Sequence, residues 1–181
     1  LLEAIPPTKA KLGSAAEGIL QSVETLQQAN RRILDRLRPL YIQELGLERS
    51  IQTLLQNAKA QAPDLAMTSE IDARLNAIDG LLSQTVYRVI QEAVTNVLRH
   101  ARADSMHVRA AIEDRELVVE ISDNGIGFPA DPRLSRGLTG MLERVRALSG
   151  TLQLLREDGR TCVRCRLPAG DSIAATAMTE T

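Results

Sequence analysis

The stretch from about Asp79 to Ala101 constrains the fold more than any other part of the chain. Leu82, Val86, Val89, Ile90, Ala93, Val97 and Leu98 recur at helical spacing and make a wide apolar stripe. A helix of that kind needs a sheet or other helices to cover it. The same helix carries a second stripe. Glu92, Asn96 and His100 stand at i, i+4 and i+8, so they share one face, and that face is polar. Polar groups on a helix built for burial need partners. They are solvated, they cap a neighbouring loop, or they face a ligand.

The segments after the helix supply its cover. Ser105 to Glu113 alternates through Met106, Val108, Ala110 and Ile112, and Glu116 to Ser122 carries Leu117, Val119 and Ile121 on one face. The short Asp114-Arg115 link predicts an antiparallel hairpin. Asp123 to Arg136 is a loop holding Gly125, Gly127, Pro129 and Pro132. Leu138 to Leu148 reads as a helix ended by Ser149-Gly150. Thr151–Arg156 and Thr161–Leu167 form a second hairpin around Asp158-Gly159. Upstream, Leu45 to Ala60 is a helix stopped by Pro63, and residues 64–72 alternate weakly as a strand. The order predicts an α+β fold: a two-layer sandwich of a mixed, mostly antiparallel sheet with helices on one face.

The beginning of the chain has a different character. From Ser14 to Arg38, Ile19, Val23, Leu26, Asn30, Ile33 and Leu37 follow steps of 4, 3, 4, 3 and 4, which is an a/d seam with Asn30 able to fix register. Ser14 and Glu17 make a capping box, and Pro39 ends the helix. The seam predicts a bundle with another helix or another chain rather than a helix lying on its own domain. The expected organisation is a helical region over residues 1–44, a compact domain over 45–168 and a small, polar, disordered tail over 169–181. The chain starts at Leu1 without an initiating Met, so it reads as a piece of a longer protein.

Composition removes several function classes. The 22 Lys+Arg against 23 Asp+Glu leave a net charge of −1, with no basic excess for a nucleic acid. Aromatic residues are 2% of the chain, too few for base-stacking platforms. No apolar run approaches the ~20 residues of a membrane span. Residues 1–13 lack the layout of a signal peptide. Cys162 and Cys165 are spaced C-x-x-C, but a zinc site needs two more ligands and alternate strand positions point to opposite faces. No P-loop pattern is present, so a nucleotide would have to be held by another route.

Three features indicate such a route. The Glu92–Asn96–His100 face offers a carboxylate, an amide oxygen and an imidazole, and hard oxygen donors suit a hydrated Mg²⁺. Asp123-Asn124-Gly125-Ile126-Gly127-Phe128-Pro129 directly follows a strand; the glycines permit close backbone approach and Asp123 offers an acceptor at the strand end. Taken alone it is also ordinary turn chemistry. Gly137-Leu138-Thr139-Gly140-Met141 opens a helix, with Arg144 one turn on, and a helix start favours anions. Taken alone it is also an N-cap with a packing glycine.

In combination and in this order, the three resemble the ATP site of the gyrase, histidine kinase and MutL superfamily, whose Bergerat-type fold lacks a P-loop. Gln91 to Ala101 is similar to the N box and Asp123 to Gly127 to the next glycine box. Gly137 to Val145 resembles the following box of sensor histidine kinases of the nitrate and hexose-phosphate sensor type. Arg36-Leu37-Arg38-Pro39 followed by Leu45-Gly46-Leu47 resembles the linker of that subfamily. The resemblance covers about residues 14–168.

The resemblance implies an ATP-binding catalytic domain with Mg²⁺ as cofactor. Asp123 would accept from the adenine amino group, and Gly125 and Gly127 would shape its pocket. Asn96 would ligate Mg²⁺, with Glu92 beside it as an outer ligand or base-like group, and these two would be the catalytic residues. Arg99 and His100 would lie near the phosphates, and Gly137, Leu138, Thr139, Gly140 and Met141 would bind at the helix start. Thr161 matches the threonine of the final box, where Arg160 departs from the usual glycine. Residues 129–136 would be a short lid over the nucleotide. The phosphoacceptor histidine of such kinases lies on a helix preceding the seam helix, and no His precedes His100 here. The implied activity is therefore transfer of the ATP γ-phosphoryl to a histidine outside this sequence and then to a response regulator. The parent would be a homodimer whose cytoplasmic part this is. Two alternatives are a scaffold module whose site has decayed, and a serine kinase or ATPase of the same superfamily.

Overall fold

The computed structural model describes residues 42, 44–78, 80–128 and 136–169. The expected seam helix, residues 129–135 of the expected lid and the tail from residue 170 lie outside them. The elements are α1 (Leu47–Gln61), β1 (Ala66–Ile71), a 3₁₀ turn (Ala73–Ala77), α2 (Gly80–Asn96), a π-helical turn (Val97–Ala101), β2 (Ser105–Glu113), β3 (Glu116–Asp123), α3 (Arg136–Ala147), β4 (Thr151–Glu157) and β5 (Arg160–Pro168).

The strands form one sheet in the order β1-β2-β3-β5-β4. β1 runs parallel to β2, and every other pair is antiparallel. This is the mixed, mostly antiparallel sheet expected. Both hairpin turns follow from their residues. Asp114 (φ 45°) and Arg115 (φ 66°) occupy the left-handed region, as do Asp158 (φ 49°) and Gly159 (φ 76°). Two consecutive left-handed residues match the twist of paired strands.

One face of the sheet meets the helices. Val86, Val89 and Ile90 of α2 are fully buried there with Val108, Leu117, Val119 and Leu167 of the strands. Each such side chain contributes roughly 1.5–3 kcal/mol by leaving water. Ile51 of α1 and Val145 of α3 join the same core. Asp72 secures the β1–α2 crossing. Its carboxylate accepts the Arg74 N–H at 2.9 Å and the Arg74 guanidinium at 2.6 Å, and it reaches the Ile112 N–H at 3.4 Å. These donors hold the Asp72 carboxyl below its ordinary range, the Arg74 side chain contributing most.

The opposite face is charged. Arg109 pairs with Glu113 and faces Glu70 and Glu120, while Arg164 pairs with Glu120 and Arg166 with Glu116. Cys165 is buried in the core, where desolvation pushes its thiol up to about 12. Cys162 lies on the charged face. The two cysteines point apart, as the spacing implied.

The structure alters one expectation about α2. The predicted single helix to Ala101 is α-helical only to Asn96 and closes as a π-helical turn. The end of that turn is held by a tertiary bond, since the Ala101 carbonyl accepts the Ile126 N–H at 2.8 Å, and Arg102 (φ 50°, ψ 41°) ends the helix in the left-handed region. Among the described residues, no helix is long and apolar enough to cross a membrane.

Candidate functional site

The antiparallel register sorts the helix-facing side chains into rungs. Ile112, Leu117 and Leu167 form one; Ala110, Val119, Cys165 and Leu152 the next; Val108, Ile121, Val163 and Leu154 the third. All are apolar or thiol. The last rung is Met106, Asp123, Thr161 and Arg156. The strand alternation continues into this rung, but beyond Met106 its residues, Asp123, Thr161 and Arg156, are polar.

Asp123 and Thr161 stand opposite each other and are almost fully buried, at 5% and 4% exposure. Asp123 Oδ1 accepts the Gly125 N–H at 2.8 Å, which orients the carboxylate. Thr161 Oγ1 is buried with no hydrogen-bond partner among the described residues. An orphaned buried hydroxyl beside an oriented carboxylate calls for a ligand or water to complete it.

These two groups open into a cavity of about 480 Å³, a size suited to a small-molecule ligand. Ala93, Val97 and Ala101 form its wall from the helix side, and Ile121 and Val163 form its floor from the sheet. Ile126, Gly127 and Phe128 border it from the loop, Leu138 from α3, and Asn96 and His100 from the helix end. The cavity is apolar except at the Asp123–Thr161 pair and at the Asn96–His100 edge.

Glycine is required where the loop meets the helix. A Cβ on Gly125 would overlap the Ala101 carbonyl and lie 2.8 Å from the Ala101 Cβ. The loop therefore docks backbone to backbone on the π-helical turn. Gly127 has φ +84°, and a Cβ there would meet the Arg156 guanidinium. The loop is also tied to the sheet by Asn124, whose Oδ1 accepts the N–H groups of Asp104 and Ser105, each at 2.9 Å.

The structure brings together most, but not all, of the residues singled out from sequence. Asn96, His100, Asp123, Gly127, Leu138 and Thr161 line one cavity. Glu92 does not. It packs against Gly137, where a Cβ would overlap the carboxylate, so it buttresses the start of α3. Gly125 acts just behind the cavity wall. Arg99 is exposed and not in the lining. Thr139 lies outside the lining, as does Gly140, whose carbonyl accepts from Arg144 at 3.0 Å. Met141 is 1% exposed and belongs to the core. The α3 stripe Leu138–Met141–Val145 explains it: the same spacing that seats Leu138 at the cavity drives Met141 beneath the helix. Arg160, the departure from the family pattern, points away. Its Nη2 lies 3.5 Å from Ser122 Oγ on the charged face, and the turn before it closes normally with Glu157 opposite Arg160.

Sequence reasoning missed the apolar walls, because Ala93, Val97, Ile121 and Val163 carry the same pattern as the core. Arg156, exposed and outside the lining, stands at the rim beside Gly127. The alternation Leu152, Leu154, Arg156 places an arginine on the helix-facing side, and that signal was present in the sequence.

A five-stranded mixed sheet carries helices on one face, and a cavity opens between a helix end and a glycine loop without any P-loop in the sequence. Residues 82–171 match the family described as histidine kinase-, DNA gyrase B-, and HSP90-like ATPase, and the domain belongs to that family. Its relatives are named sensor histidine kinases. The signal transduction histidine-protein kinase/phosphatase UhpB of Salmonella typhimurium is 33% identical over 168 residues, covering 87% of this chain and 33% of that protein. The sensor histidine kinase NarS of Mycobacterium tuberculosis is 30% identical over 174 residues, covering 92% of this chain and 39% of that protein. The chain thus spans only a third to two fifths of these relatives. Among solved structures, the Acinetobacter baumannii histidine kinase AdeS superposes with a TM-score of 0.59 at 16% identity, over 93% of this chain and 88% of that one. The blue-light activated histidine kinase of Erythrobacter litoralis EL346 gives 0.64 at 15% identity, over 94% and 65%. At those identities the likeness concerns the fold.

Proposed function

We propose that the domain binds ATP with its purine at the Asp123–Thr161 pair and its phosphates toward Asn96 and the start of α3. The observation that carries this reading is the buried, unpartnered Thr161 hydroxyl beside an oriented carboxylate at the end of an apolar slot. Asp123 uses one oxygen on Gly125, leaving the other for an exocyclic amine. The apolar walls fit a flat ring and exclude water from its faces. The positive end of α3 favours the phosphate charge.

The donor set fits a magnesium ion. Asn96 supplies an amide oxygen at the cavity edge and Glu92 a carboxylate nearby on the same helix, and Mg²⁺ keeps several waters while taking few protein ligands. Among the described residues, no group of three or more His, Cys, Asp or Glu could hold a metal by itself. When bound, Mg²⁺ would neutralise charge on the phosphates. The chain's own contribution is to position the nucleotide, keep water from the base and hold Glu92 against Gly137.

In the whole protein the γ-phosphoryl would pass to a histidine of a dimeric helical bundle and then to a response regulator, with this domain on the cytoplasmic side. The names of the relatives support that reading. The test is to incubate the protein with labelled ATP, Mg²⁺ and a separate histidine-bearing helix from such a bundle. Acid-labile, base-stable label on the helix is expected. Acid-stable label on serine or threonine, or no transfer despite tight ATP binding, would overturn the histidine-kinase assignment.

A further inference from the structure

Arg156 has no role in the family reading of the sequence, yet it completes the polar rung. On β4 the alternation puts Leu152, Leu154 and Arg156 on the helix-facing side. Leu152 and Leu154 pack on the core. Arg156 arrives directly beside Thr161, which is itself beside Asp123. Its guanidinium lies against Gly127. A Cβ on that glycine would overlap Nη1, stand 2.8 Å from the guanidinium carbon and stand 3.4 Å from Thr161 Oγ1. The absent side chain and left-handed backbone of Gly127 therefore make room for the arginine. No ion pair among the described residues involves Arg156. Arg156 is exposed and stands at the rim rather than in the lining of the cavity, against the lining residue Gly127. With no carboxylate paired to it among the described residues, its guanidinium can meet a ring face or ring acceptor atoms of a bound ligand.

We propose that Arg156 is a nucleotide-contacting residue at the base end of the cavity, covering the purine held by Asp123 rather than the phosphates. The position in the rung decides between the two ends. Arg156 neighbours Thr161 and Gly127, whereas the helix start and Asn96 mark the phosphate side of the same cavity. The inference rests on the nucleotide reading above, and adds a cation on an edge strand that sets affinity for the base.

The experiment measures the affinity of wild type, Arg156→Ala, Arg156→Lys and Asp123→Asn for AMP, ADP and ATP by calorimetry or competition, with melting temperatures as a fold control. Arg156→Ala is expected to weaken all three nucleotides by one common factor of about five, with no change in melting of the free protein, since a cation on a ring face is a modest interaction at an exposed site. Arg156→Lys keeps the charge without the planar group and is expected to fall between. A loss that grows from AMP to ATP means a phosphate contact and overturns the proposal, as does unaltered affinity. If wild type itself binds no nucleotide, the underlying reading fails and takes this one with it. If Asp123→Asn abolishes binding while Arg156→Ala does nothing, only the arginine assignment fails.

Discussion

At one end of the helix-facing surface Ile112, Leu117 and Leu167 lie side by side, buried and sealed by Gly150. At the other end of the same strands Met106, Asp123, Thr161 and Arg156 occupy equivalent inward positions. The backbone does not distinguish the two rungs; the side chains do. Polar groups near the sealed end are fully engaged: Asp72 accepts from Arg74 and reaches Ile112. At the open end Thr161 Oγ1 has no partner among the described residues. The contrast teaches that the site is a continuation of the core in which the apolar pattern is broken at one rung. Sequences break local rules where function requires it.

Substitutions can test that division. The largest effect is expected at the sealed end. Leu117→Ala removes a fully buried side chain and is expected to cost about 2–5 kcal/mol in denaturant unfolding. Nucleotide affinity of the protein that remains folded should be near wild type. Gly125→Ala strikes the junction, because its Cβ would meet the Ala101 carbonyl, which is backbone and cannot swing aside. A destabilisation of roughly 1–3 kcal/mol is expected, together with loss of nucleotide binding. If Gly125→Ala retained full affinity, the loop would not be anchored as described.

Asp72→Asn is expected to cost about 1 kcal/mol at neutral pH, the range of a lost cap and charged hydrogen bonds. Its pH dependence has a definite sign. The folded carboxyl titrates below its ordinary 3.8, so its contribution is present above that value and is lost as pH falls through the lower folded value. The wild-type advantage over Asp72→Asn should therefore shrink below about pH 4. Thr161→Val should have the smallest effect on folding, within about 0.5 kcal/mol or slightly stabilising, because it removes a buried hydroxyl that has no partner. It should nonetheless weaken nucleotide binding. Equal losses of stability from Leu117→Ala and Thr161→Val would erase the distinction between the two ends.

Much of this was legible in the sequence, for reasons that differ by element. The antiparallel hairpins were readable because alternation and turn residues are local. The parallel pairing of β1 with β2 was not, since it is made across the intervening α2 helix. The π-helical turn was hidden because five residues do not separate an α from a π period, and the bond that docks its end, Ile126 N–H on the Ala101 carbonyl, is tertiary. Motif order located Asp123, Thr161, Asn96 and His100 at one cavity, whereas Met141 of the same motif lies in the core, where its spacing from Leu138 and Val145 already put it. The same spacing puts Arg156 on the helix-facing side one alternation beyond Leu154.

Whether the polar rung receives a nucleotide is read most directly from the thermal unfolding of wild type and Asp123→Asn with and without Mg²⁺ and ATP. Ligand that binds only the folded state must raise the transition. A nucleotide-dependent rise in wild type that is absent in Asp123→Asn is expected, with both proteins melting alike when free. Identical melting of wild type with and without nucleotide, or an equal rise in both proteins, would contradict nucleotide binding at that rung.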